Sequence, residues 1–270
     1  MANYNLYWWR GREYNFGDEI TPWLFNKMFN FHQSKPCNLK DTSKPTLLAV
    51  GSIMRLSAPS NDVWGSGIRN IDQSDFKGSK KYHAVRGMFS RDQLLKLGHD
   101  CPAVYGDPGV LLPKYYFPKV RKKYKLGIIP HVIEYDELNL HFKKFKDVKV
   151  IDLRTNNIES VVNDILSCDS TISSSLHGVI TSVAYNIPTR WLKYSDKITG
   201  DDIKFYDFFS SLDSNVFSTF DRKNIKSTIN KYNPIKFQKH QDADFYAERT
   251  YLYDMFDVTP LIKSCPFKSK

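Results

Sequence analysis

One histidine of this sequence stands where a strand turns into a helix. Ser170–Ile172 predicts a short strand and Gly178–Asn186 predicts a helix, so His177 falls at the turn between them. In an open α/β sheet such a turn lines the ligand site, and the free N–H groups of the helix attract anions. An imidazole there can donate a proton to a bound substrate. The alternative is that His177 only caps the turn.

The residues around His177 offer hydrogen-bond donors to an anion. Backbone N–H groups and side-chain hydroxyls are the donors expected at the N-terminal end of this helix, here called its mouth. The candidates for substrate binding in this segment are Ser174, Ser175, Leu176 and Gly178.

Two turns in the first part of the chain contain small and polar residues. In the first turn, Gly17 permits close approach of the backbone to a ligand, and Asn15 is a polar neighbour. Asp18 either accepts the proton of an acceptor hydroxyl or simply serves the turn and the entry to the following helix. The second turn, also a candidate for lining a cleft, comprises Gly65, Ser66 and Gly67.

Three cations are candidates for binding an anionic substrate. Arg86 is predicted at a strand end, where its fork of N–H donors suits a carboxylate or phosphate. Arg69 and Lys193 are the other two. Arg86 also has a plain interpretation as a surface arginine. Asp107, in the segment YGDPG, either fixes a turn or acts as a base.

Five segments together carry a family resemblance. In order and approximate spacing they are similar to the polysaccharide pyruvyltransferase family, and the resemblance covers most of the chain. The segments are NFGDEITPWL (Asn15–Leu24), VWGSGIR (Val63–Arg69), AVRGMFSRDQL (Ala84–Leu94), YGDPGVLLP (Tyr105–Pro113) and the segment around LHG (Ser173–Pro188).

The resemblance implies a definite activity. It implies transfer of pyruvate from phosphoenolpyruvate onto two hydroxyls of a sugar residue, forming a pyruvyl ketal during cell-surface polysaccharide synthesis. It implies that His177 is the proton donor and that Arg86 binds the donor. Phosphoenolpyruvate is then a substrate, and no cofactor or metal is expected.

Ser175 departs from the family pattern. Many members carry arginine two residues before the histidine, whereas this chain has a serine there. We expect Arg69, Arg86 or Lys193 to compensate for the missing charge. The alternatives are that N–H groups and serine hydroxyls hold the anion, or that the donor differs.

Composition limits the class of protein. The chain has 270 residues, 41% of them hydrophobic, which predicts a folded protein large enough for two domains. It has no run of about 18 apolar residues, and the N-terminus lacks a signal-peptide pattern. We therefore expect a cytoplasmic protein, with the inner face of the membrane as a second site. The four cysteines show no metal-binding spacing.

The net charge of +10 favours an anionic partner. The basic stretch Lys114–Lys125 is interpreted as a solvated linker, with peripheral membrane contact as a second interpretation. Nucleic acid is not expected, because no recognition motif accompanies the charge. The expected partners are phosphoenolpyruvate and a glycan or lipid-linked oligosaccharide acceptor, and the oligomeric state is open.

Strands alternate with helices along most of the chain. This pattern predicts an α/β fold of two Rossmann-like domains facing across a cleft, and the family resemblance implies a GT-B-like fold. The predicted limits are 1–118 for the acceptor-side domain, 119–225 for the donor-side domain and 226–270 for a helical extension that returns to the first domain. Helices are expected to begin at Thr21, with Pro22 in the first turn, and to span Asp242–Phe256 near the end.

Two other functions stay open at this point. A GT-B glycosyltransferase that uses a nucleotide sugar would fit the same fold. A non-enzymatic protein that binds anionic polymers would use the positive charge and show steep salt dependence without turnover.

Overall fold

Two parallel sheets form the centre of the structure. The computed structural model describes residues 3–41, 43–213 and 231–268. The N-terminal sheet has the strand order β1-β2-β3-β4, and each neighbouring pair is parallel. Its strands are β1 (Asn5–Tyr7), β2 (Thr46–Leu48), β3 (Asn61–Trp64) and β4 (Lys81–Ala84).

The C-terminal sheet has the strand order β6-β5-β7-β8-β9. All of its pairings are parallel as well, so the predicted α/β class is confirmed. Its strands are β5 (Tyr124–Ile129), β6 (Val148–Val150), β7 (Cys168–Ser173), β8 (Thr189–Lys193) and β9 (Ile235–Lys236).

An α-helix connects every consecutive pair of strands from β5 to β9, and in the N-terminal sheet an α-helix connects β1 to β2. Parallel neighbours need such crossovers, because a tight turn cannot return the chain to the same edge. The helices of the described residues are α1 (Phe16–Phe29), α2 (Met88–Lys96), α3 (Leu112–Tyr115), α4 (Tyr135–Phe142), α5 (Ile158–Leu166), α6 (Leu176–Ala184), α7 (Ile203–Leu212), α8 (Ala243–Ala247) and α9 (Thr259–Ser264).

One continuous hydrophobic core joins the two sheets. It extends from Leu6 in β1 through Leu176 and Val179 in α6 to Leu261 in α9. A second, smaller cluster around Phe142 lies on the C-terminal sheet alone. Because α6 also packs against the turn Pro108–Leu111, the mouth of α6 is fixed relative to the N-terminal half.

Helix α6 begins two residues earlier than predicted. Gly178 was predicted to be its first residue, but it lies inside the first turn. A Cβ built on Gly178 would lie 2.3 Å from Ser173 Oγ and 2.8 Å from Ile129 Cγ2. Close packing of α6 against the strands therefore requires glycine here. As a result His177 is the second residue of the helix rather than a residue before it.

Helix α1 also begins earlier than predicted. It starts at Phe16, and the helix continues through Pro22, so the prediction of a start at Thr21 is wrong. Asn15 is the N-cap, since its Oδ1 accepts a hydrogen bond of 3.0 Å from the N–H of Gly17. This cap places Gly17 and Asp18 in the first turn of α1.

The C-terminal part of the chain contains less helix than predicted. Instead of one helix over Asp242–Phe256, α8 ends at Ala247 and Tyr251 pairs with Thr189. The chain then reaches the N-terminal sheet, where Leu261 O accepts a hydrogen bond of 2.9 Å from Trp64 Nε1. The predicted domain boundary at 225/226 lies outside the described residues.

No helix in the described ranges has both the length and the apolar character to span a membrane.

Candidate active site

A cavity of about 350 Å³ lies where the carboxyl ends of strands from both sheets meet. From the N-terminal sheet it is lined by the mouth of α1 and by the turn after β2. From the C-terminal sheet it is lined by the segment after β5 and by the mouth of α6. Ligands of open parallel sheets bind at this edge. The lining residues used below are Asn15, Asp18, Ser52, Arg55, Arg69, His131, Ser175, Leu176, His177 and Lys204.

His177 lies in the cavity wall with its side chain only 12% exposed. Its Nε2 is 3.8 Å from Asp107 Oδ2, which is an ion-pair distance rather than a hydrogen bond. Neither of these two buried atoms has a hydrogen-bond partner among the described residues. The imidazolium form of His177 would therefore face a carboxylate oxygen, Asp107 Oδ2, that accepts no hydrogen bond from the described residues.

Asp107 is held rigidly behind His177. It is fully buried and caps the turn Pro108–Leu111, because its Oδ1 accepts a 2.9 Å hydrogen bond from the N–H of Gly109. Its other oxygen faces the imidazole. The carboxylate of Asp107 thus caps the turn, which is one of the two roles considered from the sequence, and the role as a base stays a prediction.

Gly17 fixes the opposite side of the imidazole. A Cβ built on Gly17 would lie only 2.0 Å from His177 Nδ1. Only glycine leaves room for the ring at this position. The mouths of α1 and α6 therefore meet at this glycine and this histidine.

Asp18 is the one acidic residue in the lining of this cavity among the described residues. Burial raises the pKa of Asp18 to about 7, although the nearby His177 lowers it in part. A carboxyl group with such a pKa exchanges a proton near neutral pH. Asp18 can therefore act as an acid or a base beside His177.

The serines before His177 have different roles. Ser173 Oγ donates to Ile129 O at 2.8 Å and accepts from the N–H of Ser175 at 3.0 Å. Ser174 Oγ accepts from the N–H of His131 at 2.9 Å. Both hydroxyls thus bind the backbone, and only Ser175 and Leu176 line the cavity with His177. Ser174 and Gly178 lie behind the lining.

His131 was not predicted as a site residue. It follows β5 as His177 follows β7, so it reaches the same edge of the sheet. Burial, with smaller contributions from Lys204 and His177, lowers its pKa to about 4. His131 is therefore neutral at pH 7. The sequence did contain a signal for His131, because this histidine comes two residues after a predicted strand. That position did not by itself indicate that His131 lies near His177.

The predicted cations lie in three different environments. Arg69 lines the cavity, and its Nη2 donates to Thr199 Oγ1. Arg86 is fully buried behind the lining, where it forms an ion pair with Asp207 and donates to Ser52 Oγ. Its guanidinium nitrogens already donate to protein groups, so Arg86 contacts the cavity only indirectly.

Lys193 lies outside this cavity. Its Nζ is 2.6 Å from Asp202, whose hydrogen bond raises the pKa of the lysine. It lines a separate cavity of about 540 Å³. Lys193 is the last residue of β8, and its ammonium pairs with the carboxylate of Asp202, the residue that precedes α7.

The turn of Gly65, Ser66 and Gly67 is a packing element. A Cβ on Gly65 would lie 2.4 Å from Pro108 Cδ, and one on Gly67 would lie 2.5 Å from Arg86 Cζ. Ser66 is fully buried and donates to Gly51 O at 2.8 Å. These residues support the loops around the cavity and do not line it.

Arg55 and Lys204 were also missed. Both line the cavity, and with Arg69 they give it three cations. Burial and the proximity of Arg86 lower the pKa of Lys204 to about 8. No motif marks either residue, because their position depends on how the sheets pack.

Comparisons with known proteins agree with the sequence resemblance. The sequence model for polysaccharide pyruvyl transferase matches residues 63–196, which include Arg69, Asp107 and His177. An uncharacterized protein of Acanthamoeba polyphaga mimivirus is 31% identical over 207 residues, which cover 74% of this chain and 71% of that relative. No solved structure matches the chain. The chain belongs to the polysaccharide pyruvyl transferase family.

Proposed function

We propose that this protein transfers pyruvate from phosphoenolpyruvate onto two hydroxyls of one sugar residue of a glycan or a lipid-linked oligosaccharide. The product is a pyruvyl ketal, and inorganic phosphate leaves. One observation carries the proposal. The imidazole of His177 is held between Gly17 and the free oxygen of Asp107, at a cavity lined by three cations.

The reaction needs an acid at one carbon of the donor. In the proposed first step, imidazolium of His177 transfers its proton to C3 of phosphoenolpyruvate, and positive charge develops at C2. Asp107 stabilises the charged imidazole before transfer and orients it. General acids of this kind contribute roughly 10²- to 10⁴-fold to a rate.

The acceptor sugar then supplies two hydroxyls. The first hydroxyl attacks C2 and loses its proton to ionised Asp18, the bond from C2 to the phosphate oxygen breaks, and the second hydroxyl closes the ring. Asp18 passes its proton to the departing phosphate, and the second hydroxyl gives its proton to neutral His177, so both residues return to their starting forms and the atoms balance. The cations of the cavity face the carboxylate and the departing phosphate, where negative charge must be held.

The two sheets support a GT-B-like arrangement for this reaction. In this proposal residues 1–118 form the acceptor-side domain and residues 119–225 the donor-side domain. The carboxyl edges of the two parallel sheets both border the cavity, as an active site between two Rossmann-like domains requires. Residues 226–270 are proposed to extend back to the first domain. The acceptor is proposed to be presented at the inner face of the membrane.

The test is incubation with phosphoenolpyruvate and a panel of galactosyl, mannosyl and N-acetylmannosaminyl acceptors. We expect phosphate release together with a mass gain of one pyruvate less one water on one acceptor. A parallel panel of nucleotide sugars tests the glycosyltransferase alternative. Sugar transfer from a nucleotide, without ketal formation, would overturn the proposal.

His177→Ala is the variant that tests the mechanism. We expect turnover to fall by roughly 10²- to 10⁴-fold while the fold persists. Circular dichroism and the urea unfolding midpoint check the fold. A folded His177→Ala protein with wild-type turnover would remove His177 from the proton-donor role.

A further inference from the structure

Lys204 is a half-buried cation in the cavity wall, and its Nζ lies 5.5 Å from the centre of the Phe205 ring. It is the second residue of α7 and lines the same cavity as His177. Asp202 and Glu134 are near enough to favour its charge, but neither pairs with it: Asp202 accepts from Lys193 at 2.6 Å, and Glu134 accepts from Ser195 through Oε1 while its buried Oε2 has no hydrogen-bond partner among the described residues. In the part of the chain that the structure describes, no hydrogen bond or ion pair reaches Lys204 Nζ.

Three features of its environment disfavour this charge. The side chain is withdrawn from water, Arg86 and Arg69 are close enough to repel it, and it lies in the first turn of α7. The N-terminus of a helix carries partial positive charge, so a cation is unfavourable there. Burial, first, and then Arg86 lower the pKa of Lys204 to about 8. An anion in the cavity would offset all three costs.

The neighbouring cations point to the same ligand. Arg69 and Arg55 line the cavity without a carboxylate partner among the described residues, and Ser175 at the mouth of α6 supplies a hydroxyl rather than a charge. The only acidic group in this lining, within the described ranges, is Asp18. The cavity is therefore positively charged on the side of α7 and of the turn that carries Arg69.

We infer that Lys204, together with Arg69, binds the anionic end of a phosphorylated carboxylic acid in this cavity. This inference rests on the proposed function, because it names the residues that hold the donor. Ammonium acts as a point charge toward phosphate and guanidinium can form two parallel bonds to an anion. Lys204 of α7 thus supplies, across the cavity from α6, the positive charge that is missing at position 175, where this chain has serine.

Titration calorimetry of the full chain with phosphoenolpyruvate, inorganic phosphate and pyruvate tests this inference. Lys204→Met should weaken phosphoenolpyruvate binding roughly 10- to 100-fold, the scale of a lost charged hydrogen bond. Phosphate and pyruvate show which anionic group Lys204 contacts, since the affinity of one of them should fall in parallel. Lys204→Arg should retain binding within about fivefold.

Lys96→Met is the matched control. Lys96 is an exposed lysine in the last turn of α2, so its removal changes the net charge equally without touching the cavity. We expect its phosphoenolpyruvate affinity to stay within about twofold of wild type. Wild-type affinity in Lys204→Met, or equal weakening in Lys96→Met, would overturn the inference.

Thermal unfolding separates binding from folding. Lys204→Met should unfold at about the wild-type temperature or above it, because a half-buried cation without a hydrogen bond is removed and methionine can keep the contact with Phe205. If Lys204→Met unfolds at a lower temperature, the calorimetric titration with phosphoenolpyruvate is repeated on Lys204→Gln, which keeps a polar side chain. Weakened binding supports the inference, and wild-type affinity overturns it.

The two proposals can fail separately. Binding of phosphoenolpyruvate that depends on Lys204, with no ketal formed on any acceptor, would reject the proposed function and keep this site. Ketal formation by Lys204→Met with an unchanged KM for phosphoenolpyruvate would keep the function and reject the role of Lys204.

Discussion

The mouths of α2 and α6 have similar local structures but different partners for their N–H groups. Each helix follows a strand of a parallel sheet, and each mouth carries a charged or titratable residue, Arg86 before α2 and His177 in α6. At α2 the N–H of Ser90 donates to Asp207 Oδ1 at 2.8 Å, and Arg86 Nε donates to Oδ2 at 2.9 Å. The protein's own carboxylate fills the anion site of this helix.

At the mouth of α6, no carboxylate of the described residues accepts from the first N–H groups of the helix. Ser175 is its N-cap but makes no side-chain capping bond, and the mouth opens into the cavity. Because the N-terminus of a helix attracts negative charge, an unfilled one beside a cavity suits a ligand. The same local pattern therefore gives a closed, structural mouth at α2 and an open, binding mouth at α6.

The closed mouth should show itself in stability. Asp207→Asn keeps the shape of the side chain but leaves the fully buried Arg86 without its counter-charge. We expect a loss of about 3–5 kcal/mol in the free energy of unfolding, the usual cost of breaking a buried ion pair. Urea unfolding measures it.

Asp169→Asn, on an exposed position of β7, is the control and should change stability by less than about 0.5 kcal/mol. An Asp207→Asn protein with wild-type stability but weakened phosphoenolpyruvate binding would place the α2 mouth in the ligand site. The comparison would then fail.

The open mouth should show itself in activity. Gly17→Ala places a Cβ where His177 Nδ1 now lies within 2.0 Å, so the imidazole must move. A displacement of about 1 Å in a reacting group can cost roughly 100-fold in turnover. Global stability should change little, since alanine favours the helix by up to about 1 kcal/mol and offsets part of the strain.

Gly11→Ala is the matched control, because a Cβ there has no neighbour closer than 3.9 Å. Its turnover and unfolding midpoint should equal those of the wild type. If Gly17→Ala loses stability and turnover together, the contact with His177 is a packing requirement of the fold rather than a device for the reaction.

Sequence reasoning identified the open mouth but not its surroundings. The short-range patterns of apolar residues predict the alternation of strands and helices, and with it the place of His177, because these depend on neighbours in the chain. The pair of Arg86 and Asp207 joins residues 121 positions apart. Lys204 reaches the cavity through the packing of distant elements, which no local pattern encodes. His131 follows a strand that could be predicted, but its closeness to His177 depends on the pairing of β5 with β7.

The carboxylates of Asp207, at the mouth of α2, and of Asp18, in the first turn of α1, differ in their hydrogen-bond partners. Asp207 is held by Arg86 and Ser90, whereas the carboxylate of Asp18 accepts no hydrogen bond from the described residues. Burial therefore raises the pKa of Asp18 to about 7, above its unfolded value of 3.8. Between these values the unfolded chain has released a proton that the folded protein retains.

The folded protein should consequently lose stability as the pH rises from about 4 to about 7, because the unfolded state binds fewer protons there. Asp18→Asn removes this loss, so it should be more stable than wild type by about 1–2 kcal/mol at pH 8, after allowance for solvent in the cavity, and little changed at pH 4. Urea unfolding at the two pH values measures the difference, with Asp169→Asn as control.

An Asp18→Asn protein that gains nothing at pH 8 would mean that Asp18 is already ionised at neutral pH. Asp18 would then resemble Asp207 as a stabilised carboxylate, and the distinction between the filled and the open mouth would rest on α6 alone.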